Sequence, residues 1–196
     1  MRTLALAVSL VMALFGPLES LDQAIQAQVQ AHRTPALERP MKAASDLGRP
    51  AVMFGGLLLL AVADPAGPGA ARLAIAALVP VNLVVEGLKR ATDRTRPDGE
   101  HKRSNAAFPS SHAANAATLA AVLARRWRRI AIPAWLAAAI VAFSRVYLNR
   151  HWMSDVLAGV AIGVLGAWVA MRWISPWIEA RFVRAAQRRA TPRTGS

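Results

Sequence analysis

The stretch Ser144-Arg145-Val146-Tyr147-Leu148-Asn149-Arg150-His151-Trp152-Met153-Ser154-Asp155 separates two apolar runs, Ile130–Phe143 before it and Val156–Val169 after it. Each run reads as a membrane-spanning helix, so the stretch reads as the turn between two spans. Polar groups at such a boundary need partners or a task. His151 and Asp155 are four residues apart and share a face if the turn is helical. A carboxylate that accepts from one ring nitrogen fixes the tautomer and leaves the other nitrogen free as nucleophile or base. Arg145 offers a fork that matches phosphate oxygens.

The composition agrees with a membrane protein. Hydrophobic residues make up 55% of the 196 positions although the formal charge is +13. They fall in blocks, which argues against a disordered basic chain and against a nucleic-acid-binding domain. The chain has no Cys, so thiolate chemistry and disulfides are excluded. The basic residues are Arg apart from Lys42, Lys89 and Lys102.

Working outward, Val156–Trp173 is the sixth of six expected spans and Ile130–Phe143 the fifth. Gly159 and Gly163 give the sixth a small face suited to packing against a neighbour within the chain. Ala113–Leu123 is a short fourth span, ended by Arg125-Arg126-Trp127-Arg128-Arg129. Leu73–Leu88 is the third, with Glu86 placed to pair with Lys89 or Arg90. Ala51–Ala63 is the second and is short against the ~20 residues a crossing helix needs. Thr3–Phe15 reads as an uncleaved first span, with a cleaved signal peptide as the alternative. Between these two spans, Ser20–Arg33 and Pro35–Leu47 read as amphipathic interfacial helices. The first carries Leu21, Ile25 and Val29 at helical spacing and a Ser20–Gln23 capping box; Gly48 stops the second. The fold class is therefore an all-α membrane protein with about six transmembrane helices and short interfacial helices after the first.

Three polar stretches fall on one side of this arrangement: Lys89-x6-Arg96-Pro97, Phe108-Pro109-Ser110-Ser111-His112 and Ser144-Arg145-x5-His151-x3-Asp155. The arginines at 125, 126, 128 and 129 and those of the tail fall on the other, which the positive-inside rule makes cytoplasmic, provided the basic residues of the polar loop are set aside as functional. The site then faces outward.

In their order and spacing the three stretches resemble the signature of the type 2 phosphatidic acid phosphatase superfamily. The likeness by motif runs from Lys89 to Asp155. The resemblance implies one membrane-embedded phosphatase domain over residues 1–180, followed by a basic cytoplasmic tail over 181–196. It implies a two-step phosphoryl transfer that needs no metal or other cofactor. His151 would be the nucleophile and form a phosphohistidine, and Asp155 would orient it. His112 would protonate the leaving oxygen and then activate water. Lys89, Arg96, Arg145, Ser110 and Ser111 would hold the phosphate. The second motif usually reads Pro-Ser-Gly-His; here Ser111 stands in place of the Gly. A Gly allows close backbone approach to phosphate; Ser is small and adds a donor, so activity is expected to survive.

The physical reading of the residues agrees. Phosphoryl transfer needs positioning and charge stabilisation, which three fixed cations supply. Two His with different neighbours can be tuned to different tasks. The spans imply a substrate phosphate at head-group depth in the bilayer: phosphatidic acid, phosphatidylglycerol phosphate or a polyprenyl mono- or diphosphate such as undecaprenyl diphosphate, in a bacterial cytoplasmic membrane. No nucleic-acid partner is expected, and the oligomeric state is open. The alternatives are a non-catalytic lipid- or anion-binding or transport protein, a phosphatase of soluble esters, and a zinc site built from His151, Asp155 and His112, against which the surrounding cations argue.

Overall fold

The structure, a computed structural model, describes residues 18–65, 67–100 and 106–176. The expected span Thr3–Phe15, residues His101, Lys102 and Arg103 of the polar loop, and the tail from 181 onward lie outside the described residues. Every described element is helical: α1 (residues 18–31), α2 (Pro35–Leu47), α3 (Pro50–Ala63), α4 (Gly67–Thr92), α5 (Ser111–Arg126), a 3-10 turn (Arg128–Ile130) leading into α6 (Ala131–Tyr147), and α7 (Met153–Val169), which continues as a π turn over Ala170–Ile174. Pro35 and Pro50 open α2 and α3, where the N–H that proline lacks would have no intrahelical acceptor.

Helix α5 lies at the centre and packs against α4, α6 and α7. Its residues Ala113, Ala114, Ala116, Ala117 and Ala120 are buried. Small side chains let the backbones approach. A Cβ on Gly159 would lie 2.4 Å from the Ser110 carbonyl oxygen, and one on Gly163 would lie 2.2 Å from that of Ala114. The Thr118 hydroxyl donates to the Gly163 carbonyl at 3.1 Å. The small face of α7 thus packs within the chain, as its sequence suggests. Large apolar side chains point the other way: Leu58, Leu59, Val62, Leu83, Ile132 and Leu157 are exposed. Small inside and large outside is the pattern of helices that meet lipid.

Among the described residues three helices are long and apolar enough to cross a membrane, Gly67–Thr92, Arg128–Tyr147 and Met153–Ile174. The pair α2 and α3, bent by 64°, makes a fourth if it counts as one broken span. The expected count of six included α3 and α5, which are 14 and 16 residues long. A 16-residue helix rises about 24 Å, short of the ~30 Å hydrocarbon core. The described residues therefore show the all-helical membrane fold without a count of six.

Helix α1 differs from its sequence reading. It is already helical at residue 18, so Ser20 lies inside it and not at its start. Leu21 is exposed, whereas Asp22 and Gln26 are buried. The polar stripe faces the protein because of what it meets, and Val29 of the apolar stripe packs beside it on the cluster of Ala113, Ala142, Val146 and Val156. The last carbonyls of a helix lack intrahelical donors. Gln26 Nε2 donates to the Val146 carbonyl at 3.1 Å and to Asn149 Oδ1 at 2.6 Å, and Gln30 Nε2 donates to the Tyr147 carbonyl at 3.2 Å. Helix α1 thereby caps the end of α6 where the turn to His151 begins.

Candidate active site

The turn between α6 and α7 is held by its own backbone and by three other segments. The amides of Arg150 and His151 donate to the Arg145 carbonyl at 3.0 and 3.2 Å. Asn149 adopts φ +60, a left-handed conformation that Asn tolerates better than most residues. Asp155 stands in the first turn of α7, fully buried, and one of its oxygens accepts the Trp152 amide at 2.8 Å. The Ser110 amide donates to the Asp155 carbonyl at 3.0 Å, which ties the second motif to the third.

His151 is 2% exposed. Its Nδ1 lies 2.7 Å from the Ala107 carbonyl oxygen and 3.8 Å from Asp155 Oδ2. A carbonyl only accepts, so Nδ1 carries the proton and Nε2 keeps the lone pair. Burial pushes the imidazole down to about 4; Asp155 pulls it up, while Arg145 and Lys89 add to the lowering.

The cations named from the sequence surround this point. Lys89, in the last turn of α4, is buried and donates to the Ala106 carbonyl at 2.7 Å. It turns to the polar loop, and Glu86 forms no ion pair with it or with Arg90, contrary to the pairing expected from their spacing. Arg96 is buried and meets Glu100 at 3.4 Å. Arg145 is buried at the end of α6 and donates to the Ser45 hydroxyl of α2, while its Nε has no acceptor among the described residues. Ser110 caps α5, its hydroxyl accepting from the Ala113 amide at 3.5 Å, and Ser111 and His112 form the first turn. A helix start of this kind presents free N–H groups to an anion.

A cavity of about 590 Å³ opens here, with Arg96, Arg145 and His112 in its wall and Ser45, Asp46 and Arg49 opposite them. His151, Asp155, Lys89 and Ser110 are buried and do not line it. Gly48 lets α2 and α3 come this close: a Cβ there would lie 2.9 Å from His112 Cδ2 and 2.9 Å from Val141 Cγ1. Among the described residues no three His, Asp or Glu side chains are grouped to hold a metal ion.

Two participants escape sequence reasoning. Arg94 donates through Nη1 to Asp155 Oδ1 at 2.6 Å and to the Ser154 hydroxyl at 2.7 Å, and through Nη2 to Asp22 at 2.7 Å. Asp22 also accepts the Ser154 amide at 2.9 Å. The signal for Arg94 was its place between Lys89 and Arg96; nothing near Asp22 marks it.

A family model described as the PAP2 superfamily matches residues 70–179, more than half of the chain and all three polar stretches. The chain belongs to the PAP2 superfamily. Among curated PAP2 relatives it is 34% identical over 95 residues to a lipid A 1-phosphatase of Porphyromonas gingivalis, covering 44% of this chain and 21% of that protein. It is 35% identical over 91 residues to phosphatidylglycerophosphatase B of Bacillus subtilis, covering 40% and 45%. The matched segments thus span less than half the length of these relatives. Solved PAP2 structures share the fold. The crystal structure of a transmembrane PAP2 type phosphatidylglycerolphosphate phosphatase from Bacillus subtilis gives a TM-score of 0.68 at 26% identity, covering 80% of this chain and 85% of that one. That of Aquifex aeolicus LpxE gives 0.71 at 24% identity, covering 78% and 96%. With its apolar helices, this PAP2 protein is an all-helical integral membrane protein.

Proposed function

We propose that the chain is a membrane-embedded phosphatase that hydrolyses a lipid phosphate or diphosphate without a metal, through a phosphohistidine on His151. One observation carries the reading: buried imidazole, buried cations and a helix start converge at one end of an apolar helix bundle. The names of the relatives, phosphatases of lipid A and of phosphatidylglycerophosphate, point the substrate class the same way.

In this reading His151 Nε2 attacks phosphorus and the bond to the lipid oxygen breaks, with His112 giving that oxygen a proton. Water then attacks the phosphohistidine, His112 takes its proton, the P–N bond breaks and phosphate leaves. Lys89, Arg96 and Arg145 hold the phosphoryl oxygens, and Ser110 and Ser111 present the start of α5 to them. The Nε of Arg145 would gain the acceptor it lacks among the described residues. The site faces outward from a bacterial cytoplasmic membrane, on the side away from the arginines of 125–129.

Phosphate release from detergent-purified protein in excess EDTA, across lipid monophosphates, lipid diphosphates and one soluble ester, tests this. The expected result is release from at least one lipid that survives chelation and vanishes in His151→Ala. Release abolished by EDTA would overturn the metal-free mechanism. A soluble ester turned over faster than every lipid would overturn the substrate class. No release from any substrate would leave an anion-binding or transport protein.

A further inference from the structure

Asp155 has neighbours that the His151–Asp155 pair by itself does not explain. Its two oxygens are engaged away from the ring, one by the Trp152 amide and the other by Arg94, while the ring nitrogen stands 3.8 Å off. Arg94 comes from the loop after α4, and its other terminal nitrogen is held by Asp22 of α1. Asp22 is 3% exposed, and besides Arg94 it accepts both the amide and the hydroxyl of Ser154. The Arg94 guanidinium therefore joins two buried carboxylates that arrive from opposite ends of the sequence. It also lies over the Trp152 ring, 5.7 Å from its centre, and the Trp152 indole N–H donates to the Thr95 carbonyl at 3.0 Å.

We propose that Arg94 and Asp22 are positioning residues of the site: Asp22 fixes the Arg94 fork, and Arg94 fixes Asp155 and the first turn of α7 beside His151. The inference rests on the phosphatase reading for its effect on turnover, but its effect on the ring stands apart from that reading. A bidentate arrangement needs the planar fork, and lysine, a point charge, does not reproduce it. Two buried carboxylates this near one another also need a cation between them. The role explains why α1 turns its polar stripe inward. The same stripe supplies Asp22 to the start of α7 and Gln26 and Gln30 to the end of α6, so one helix braces both sides of the turn that carries His151.

The test uses Arg94→Gln, Arg94→Lys, Asp22→Asn and the double variant Asp22→Asn/Arg94→Gln of the full chain in detergent. Two readouts apply: kcat and KM on the best lipid substrate, and the ring 15N titration of His151. The charged groups acting on that ring are Asp155, Arg145 and Lys89, and the titratable His112 of α5 couples to it. Without Arg94 the Asp155 carboxylate is less neutralised and stabilises the imidazolium better, so the His151 midpoint should rise. Turnover should fall about ten- to a hundredfold with KM little changed, Arg94→Lys should recover only part of it, and the double variant should be no worse than Arg94→Gln alone. Asp22→Asn, nearly isosteric, keeps the test alive should Arg94→Gln fail to fold; it should lower turnover by less and, because it removes a buried negative charge and leaves Arg94 less neutralised, it should shift the His151 midpoint down. Variants that lose thermal stability yet keep kcat and the His151 midpoint would overturn the proposal and leave an anchor for α1. A wild-type protein without phosphatase activity whose His151 midpoint still responds to Arg94 would refute the function and keep the positioning role; an unresponsive midpoint would overturn that role whatever the activity.

Discussion

At His151 a backbone oxygen does the work that sequence spacing assigns to a carboxylate. Nδ1 is 2.7 Å from the Ala107 carbonyl against 3.8 Å from Asp155, so the tautomer survives even if Asp155 is neutralised. Burial lowers the ring to about 4 from an ordinary value near 6.5. The neutral form, which the proposed attack requires, then persists down to about pH 4, and a ring 15N titration of the free protein should show a midpoint well below 6.5. The same shift bears on stability. The unfolded chain takes up this proton near 6.5 and the folded one only near 4, so the folded state should lose stability as pH falls through that window. Asp155→Asn should lower turnover steeply. Because Asp155 raises the ring's proton affinity, its removal lowers the midpoint further; a slow variant with such a midpoint would place the loss in geometry, not in protonation. Gly48→Ala should displace His112, since the added Cβ meets the ring at 2.9 Å; a tenfold or larger fall in kcat, of the order that misplacement by ~1 Å produces, is expected in steady-state kinetics. The motif residues were legible through their likeness to a family signature. Arg94 was not, because a motif written Lys-x6-Arg leaves its identity blank, nor was Asp22, 132 positions from the Ser154 it contacts.

At the scale of elements, apolar runs located the helices and misjudged their ends for one physical reason. Hydropathy reports where lipid begins, whereas a helix continues as long as its hydrogen bonds do. Leu73–Leu88 accordingly lengthens to Gly67–Thr92 and takes Lys89 into its last turn, and Ala113–Leu123 lengthens to Ser111–Arg126 and takes in His112. The polar side chains at the extended ends belong to the candidate site. Helix α1 shows a limit of such patterns, because an apolar stripe indicates the protein-facing side only when the other side meets water. The α5–α7 seam was readable from Gly159 and Gly163, and it carries a stability prediction. Gly163→Ala places a Cβ 2.2 Å from the Ala114 carbonyl oxygen, and overpacking of this kind costs about 1–3 kcal/mol. Gly87→Ala, whose Cβ meets nothing within 4 Å, should hold or raise stability, since alanine is the better helix former. Thermal denaturation in detergent should separate the two; equal midpoints would mean that the seam yields more readily than its backbone contacts imply.

For the whole molecule, the decisive quantity is which membrane face the cavity opens to, since that selects the lipids that can reach it. Helices α3 to α7 alternate in direction, so His112, Arg145 and the turn at His151 gather at one end while Arg72, Arg125 and Arg126 border a second cavity at the other. Charge alone separates the ends weakly, because the site end holds Lys89, Arg96 and Arg145 as well. Those cations are buried, and the exposed Arg49 and Arg150 beside them are paired with Asp46 and with Asp98 and Glu100, whereas Arg125, Arg126, Arg128 and Arg129 are exposed, where they can meet anionic head groups. Retention of Lys and Arg on the cytoplasmic side acts through such juxtamembrane charges, so the arginine end should be cytoplasmic and the cavity should open outward. The absence of cysteine makes this directly measurable. A membrane-impermeant maleimide should label Ala91→Cys, exposed at the site end of α4, in intact bacterial cells, and should label Arg129→Cys only after permeabilisation. The reverse pattern would turn the cavity to the cytoplasm, leaving newly made inner-leaflet lipid phosphates as the accessible substrates and removing carriers that return in the outer leaflet.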